Sequence, residues 1–144
     1  MIRSITILML FLVLPCPFQA PVARAQDTFE TSSNDIKLQI KFYSEVKDYL
    51  NDLFNKFGDG YLSPDAALTK VTFIKLEYIK IAEPVPNEAK ELFERVKTLL
   101  NRAENYFIYY KSRGREDPEI NYKLAQAQVN VVIEADRLSY RYAR

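Results

Sequence analysis

The chain contains no histidine and no tryptophan, one cysteine and three glycines. Each absence excludes a class of chemistry. Without histidine there is no imidazole base, no ordinary zinc site, and no Glu-x-x-His pair of the kind that di-iron helical bundles require. With Cys16 alone, neither an intrachain disulfide nor a Cys-x-x-Cys-His haem attachment can form. The charge is nearly balanced, with 20 Lys plus Arg against 19 Asp plus Glu, so no strong field argues for nucleic acid. We expect no cofactor, no metal and no catalytic residue, hence no enzyme.

The first 25 residues deepen these absences. Arg3 opens a short positive region, and Ile5 to Leu14 (ITILMLFLVL) is a ten-residue apolar run. Pro15 and Pro17 break the run, and Ala23-Arg24-Ala25 offers the small-x-small pattern that a signal peptidase reads. A bilayer span needs about 20 apolar residues, so this run is too short. Residues 1–25 therefore read as a signal peptide cleaved before Gln26, with export to the periplasm or the medium and no transmembrane segment in the mature chain. Lipid attachment at Cys16 is the weaker reading, because Pro15 stands where a small residue is wanted. Cleavage leaves 119 residues free of Cys, Met, His and Trp; with Arg3 and Arg24 gone, 18 basic groups face 19 acidic ones. A fold without disulfides rests on its core, and a chain of this length can bury roughly 65% of its unfolded surface.

What is present is helical periodicity. Asn87 to Arg113 carries Ala89, Val96, Ala103 and Tyr110 at intervals of seven. Leu92, Leu99 and Tyr106 form a second row, and Phe93, Leu100 and Phe107 a third. Three rows make a wide apolar stripe, as expected of a helix packed on more than one neighbour. Ile36, Ile40, Tyr43, Val46, Leu50, Leu53 and Phe57 keep the same period, with Gly58 placed to end the helix. Val71 to Ile81 is rich in β-branched and aromatic residues and could form a strand. The Ser63-Pro64-Asp65 cap, with Leu68, Val71, Lys75, Tyr78 and Ala82 on one face, favours a helix. Asp117-Pro118-Glu119 repeats the cap before Ile120, Leu124, Ala127, Val131, Ala135, Leu138 and Tyr142.

The expected organisation is a flexible leader over 26–33 and one all-α domain over 34–144. Its helices fall at about 34–57, 64–82, 87–113 and 118–143, the third capped by Asn87. Short connectors make sequential helices antiparallel neighbours, hence an up-down-up-down four-helix bundle.

Asn55 to Ala66 resembles a calcium-binding EF-hand loop around Gly60. Phe57 and Ala66 occupy two ligand positions, however, and leave too few oxygens for calcium. Glu134 lies near the apolar stripe and is expected to pair with Arg137 or Arg141.

Tyrosine is the compositional excess, with ten in the chain. Tyr106, Phe107 and Tyr110 belong to the core stripe. Tyr109 and Tyr122, with Lys111, Arg113 and Arg115 beside them, form the candidate partner-binding group. Aromatic rings among cations suit a protein surface or an anionic glycan of the cell envelope. Ile108 and Tyr109 lie off the main stripe and offer a homodimer face. The function expected is therefore non-enzymatic binding of an envelope or extracellular partner. The alternative is a carrier holding a small apolar or aromatic molecule in the bundle core. A carboxylate-based hydrolase ranks last, since no two acids share a face beside a pocket.

Overall fold

Prolines, glycines and caps decide where the helices begin and end. The computed structural model describes residues 21–142, with side chains over 33–142. The helices are α1 (Pro21–Gly58), α2 (Pro64–Ala82), α3 (Lys90–Arg113) and α4 (Pro118–Tyr142), with one 3-10 turn at Asn87–Ala89 before α3. Among the described residues the protein is all-helical, with four helices packed against one another and no strand. No described helix is long and apolar enough to cross a membrane.

Two caps act as the sequence suggests. The Ser63 hydroxyl accepts from the Ala66 N–H at 3.2 Å, with Pro64 in the first turn. Asp117 Oδ1 accepts from Glu119 N–H at 2.9 Å and Ile120 N–H at 3.1 Å. Each satisfies amides that a helix start otherwise leaves unpaired. The Ser63 cap also resolves the ambiguity over Val71 to Ile81, which is helical throughout.

Three boundaries differ from expectation. First, α1 begins at Pro21, ahead of the expected start at residue 34. No proline or glycine interrupts the chain between Pro21 and Gly58, so nothing there breaks a helix. The expected cleavage point before Gln26 falls inside α1, and the apolar run and Cys16 lie outside the described residues. Second, Gly60, not Gly58, closes α1. Gly60 takes φ +78°, Tyr61 N–H donates to Lys56 O at 2.8 Å and Gly60 N–H to Phe57 O at 3.0 Å. That pair of bonds is a Schellman closure, which needs the left-handed residue one step past the cap. Third, Asn87 makes no side-chain cap. It opens the 3-10 turn, and α3 starts beyond it at Lys90 without a capping side chain.

The core follows the predicted stripes. Ile36, Val46, Leu50 and Leu53 of α1 are buried against Val71 and Tyr78 of α2 and against Leu124, Val131 and Leu138 of α4. The α3 rows, from Leu92 to Phe107, run through the middle of this cluster. Burying a Leu or Val side chain stabilises by about 1.5–3 kcal/mol, so the stripe that packs on two neighbours carries most of the fold.

Individual contacts show how α3 meets its neighbours. Asp65, at the start of α2, pairs with Lys111 near the end of α3. Thr72 donates to Glu104 at 2.8 Å, Lys75 pairs with the same carboxylate, and Tyr78 stacks on Phe93 at 5.6 Å. On the other side, Arg95 donates to the Asn130 carbonyl of α4 at 3.0 Å. Gln39 of α1 donates to the last carbonyl of α2, Ala82 O, at 2.7 Å.

Candidate functional site

The end of the molecule that holds the α1–α2 and α3–α4 connectors is fixed from beneath by aromatic rings. Phe57 meets Tyr110 edge-on at 4.9 Å, Phe54 stacks on Phe107 at 4.9 Å, and Tyr106 meets Phe107 edge-on at 5.1 Å. Such pairs add about 0.5–1.5 kcal/mol each beyond area burial. The plug makes the two connectors share one rigid base. The expected core role of Tyr106, Phe107 and Tyr110 is what the packing shows.

Glu116 then ties the α3–α4 connector down. Its Oε1 accepts from the Tyr106 hydroxyl at 2.9 Å, and its Oε2 accepts from the Asn121 amide at 2.9 Å. Burial, followed by the hydrogen bond to Glu116, pushes the Tyr106 phenol well above its ordinary pKa. Gly114 ends α3 at φ +66°, its N–H donating to Tyr110 O at 2.8 Å.

Two of the candidate residues are engaged within the fold. Tyr109 is half-buried beside the Asp117 carboxylate. The Ile120 N–H, as the largest cause, and the Glu119 N–H hold the Asp117 carboxyl below the usual carboxylate range, with a smaller contribution from Tyr109. Lys111 Nζ lies 2.5 Å from Asp65 Oδ1, an exposed pair linking α3 to α2. Arg113 and Arg115 are exposed and form no ion pair among the described residues. Tyr122 is 66% exposed on α4, and Tyr61, in the neighbouring connector, is 79% exposed. The exposed part of the end is therefore two free guanidinium groups with tyrosine rings on adjoining elements.

No protein-family model, curated protein or solved structure matches the chain. Its functional reading rests on its own residues.

A second feature lies between α1 and α4. A groove of about 250 Å³ is lined by Asn51, Phe54, Asn55, Tyr106, Asn121 and Gln128, among others. Four carboxamides thus face two aromatic rings, and the buried Asn121 Oδ1 has no hydrogen-bond partner among the described side chains. Spacing along the chain does not point to this site, because its residues lie on helices far apart in the chain. Only the knowledge that α1 packs on α4 brings Asn51 beside Gln128.

The one buried carboxylate among the described residues has a structural partner. Glu134 is 3% exposed and accepts two bonds from Arg137, at 2.5 and 2.9 Å. This is the expected pair, and it occupies both carboxylate oxygens. Among the described residues no cluster of three His, Cys, Asp or Glu is placed to hold a metal ion.

Proposed function

We propose that the protein is exported and acts without catalysis, by binding an envelope or extracellular partner at its connector end. With it we propose the up-down-up-down antiparallel bundle. Asp65 meeting Lys111 and Thr72 meeting Glu104 support opposed directions for α2 and α3, and Arg95 reaching Asn130 supports them for α3 and α4. Export is supported by the apolar run Ile5 to Leu14 and the Ala23-Arg24-Ala25 pattern.

The observation that carries the binding reading is the pair Arg113, at the end of α3, and Arg115, in the connector after it, both exposed and without ion-pair partners among the described residues, beside the aromatic plug. Guanidinium groups are the side chains best suited to carboxylate, sulfate or phosphate recognition, and a rigid base lowers the cost of ordering them. Tyr61 adds an amphipathic ring to the same end. The fitting partner is an acidic protein surface or an anionic glycan.

The experiment is affinity capture from the native envelope with the wild-type protein and with Arg113→Glu combined with Arg115→Glu. The proposal expects a partner captured by the wild type and lost in the variant. Equal recovery with both proteins contradicts it.

The groove between α1 and α4 supports a second reading, a carrier for a small molecule. Its carboxamides fit a hydroxylated or amide-bearing ligand better than the small apolar or aromatic molecule expected from sequence. Native mass spectrometry of protein purified from its own host distinguishes the two. A co-purifying mass that disappears in Gln128→Leu favours the carrier, and a bare protein mass favours the partner-binding reading.

A further inference from the structure

The outward side of α4 carries a second apolar stripe, separate from the stripe it buries. Tyr122, Val129, Ile133 and Tyr140 follow one another at intervals of seven, four and seven residues. At 100° per residue these four positions fall within about 40° of one line along the helix. They are 66%, 56%, 57% and 78% exposed, and Val132 beside them is 41% exposed. The buried residues Leu124, Ala127, Val131 and Leu138 occupy the opposite side. A surface helix ordinarily places polar residues there.

The order Tyr, Val, Ile, Tyr reads nearly the same in both directions about Val131. We infer that two copies of the chain associate through this stripe, their α4 helices packed antiparallel about a two-fold axis at the level of Val131. Tyr122 of one copy then lies against Tyr140 of the other, and Val129 against Ile133. A two-fold interface demands this self-complementarity, in which the patch that contacts is also the patch contacted.

Charge agrees with the same geometry. Glu119 stands in the first turn of α4 and Arg141 in its last turn. Antiparallel packing brings Glu119 of each copy near Arg141 of the other, and sets each helix's positive end beside the other's negative end. The like charges that also approach are already neutralised within the chain, Lys123 by Glu119 and Arg137 by Glu134.

Area agrees as well. At their exposures the five apolar side chains present roughly 500–600 Å² per copy, so a pair with its polar rim reaches the lower range of stable interfaces, about 1,200 Å². Other exposed apolar groups fall short of this. Phe73 and Leu76 form an isolated pair on α2. Of Ile108 and Tyr109, the dimer face expected from sequence, only Ile108 is largely exposed, and Tyr109 is half-buried.

The test is sedimentation velocity on protein purified from expression of the full chain, over a range of micromolar concentrations. The wild type is expected to be a dimer. Val129→Glu alone and Ile133→Lys alone each weaken dimerisation roughly thirty-fold or more, as loss of a central apolar contact does. Val129→Ser with Ile133→Ser weakens it without adding charge, and circular dichroism checks that the helices persist. Combining Val129→Glu with Ile133→Lys in one chain restores association about ten-fold or more over either single variant, because the new carboxylate faces the new ammonium of the other copy. Parallel packing would set like charges together and make the double variant the weakest. A monomeric wild type, single variants that dimerise normally, or a double variant weaker than both singles overturns the inference.

Discussion

Removing the hydroxyl from two buried tyrosines should change stability in opposite directions. Tyr78 is fully buried, stacked on Phe93, and its hydroxyl has no hydrogen-bond partner among the described side chains. Tyr106 is 7% exposed and its hydroxyl donates to Glu116 at 2.9 Å. An unpaired buried polar group costs about 1–3 kcal/mol, and Tyr78→Phe removes it while keeping the ring, so a gain of about 1 kcal/mol is expected. A hydrogen bond to a charged acceptor is worth about 1.5–3 kcal/mol, but Glu116 is solvent-exposed, so Tyr106→Phe should cost about 1 kcal/mol. For a domain of this size each change corresponds to roughly 3–5 °C in Tm. Thermal and urea unfolding followed by circular dichroism read both, with the urea m-value as a check that the unfolded state is unchanged. If both variants shift stability by the same sign and size, the partner assignments for these hydroxyls are wrong.

The two glycines of the first connector should also respond with opposite sign. Gly58→Ala adds a methyl group within a helix at an open position and should stabilise by about 0.5–1 kcal/mol. Gly60→Ala forces an L residue to φ +78° and should destabilise by about 1–2 kcal/mol. Alkaline pH should unfold the protein, because burial raises the pKa of both Tyr78 and Tyr106 in the folded state. Their contribution is complete below the unfolded tyrosine pKa of about 10 and is lost as pH rises towards the raised folded values. Urea midpoints measured across that range should fall more gently in Tyr78→Phe. Amino-terminal sequencing of the exported protein should begin at Gln26, and a chain retaining Ile5 to Leu14 would contradict the signal-peptide reading.

Much of the fold was legible because local signals agreed with tertiary ones. Ser63-Pro64 started a helix where β-branched residues alone suggested a strand, and the α3 rows identified the central core. Boundaries were harder to read where two residues competed for one role. Gly58 and Gly60 both look like helix terminators, and only the bond from Tyr61 to Lys56 distinguishes them. Asn87 has the right side chain for a cap, but the 3-10 turn after Pro86 starts the helix without it.

The candidate site was less legible. Arg113 and Arg115 are exposed as basic residues at a helix end and in a connector usually are, whereas Lys111 pairs with Asp65 and Tyr109 is half-buried beside Asp117. Those pairings depend on the approach of α2 and on the fold of the connector, which spacing along the chain does not encode. The groove residues Asn51 and Gln128 each look like ordinary surface amides. The outward stripe of α4 is hidden in the sequence for a different reason. Its period matches that of the inward stripe, so one apolar face already accounts for the helix.

Site-specific photo-crosslinking in the native host tests partner binding at the connector end most directly. A photoreactive residue replacing the exposed Ser112, with Arg113 and Arg115 kept, should yield a discrete higher-mass adduct, and one replacing Phe73 on the exposed side of α2 should not. No adduct from position 112, or the same adducts from both positions, would contradict binding through this end.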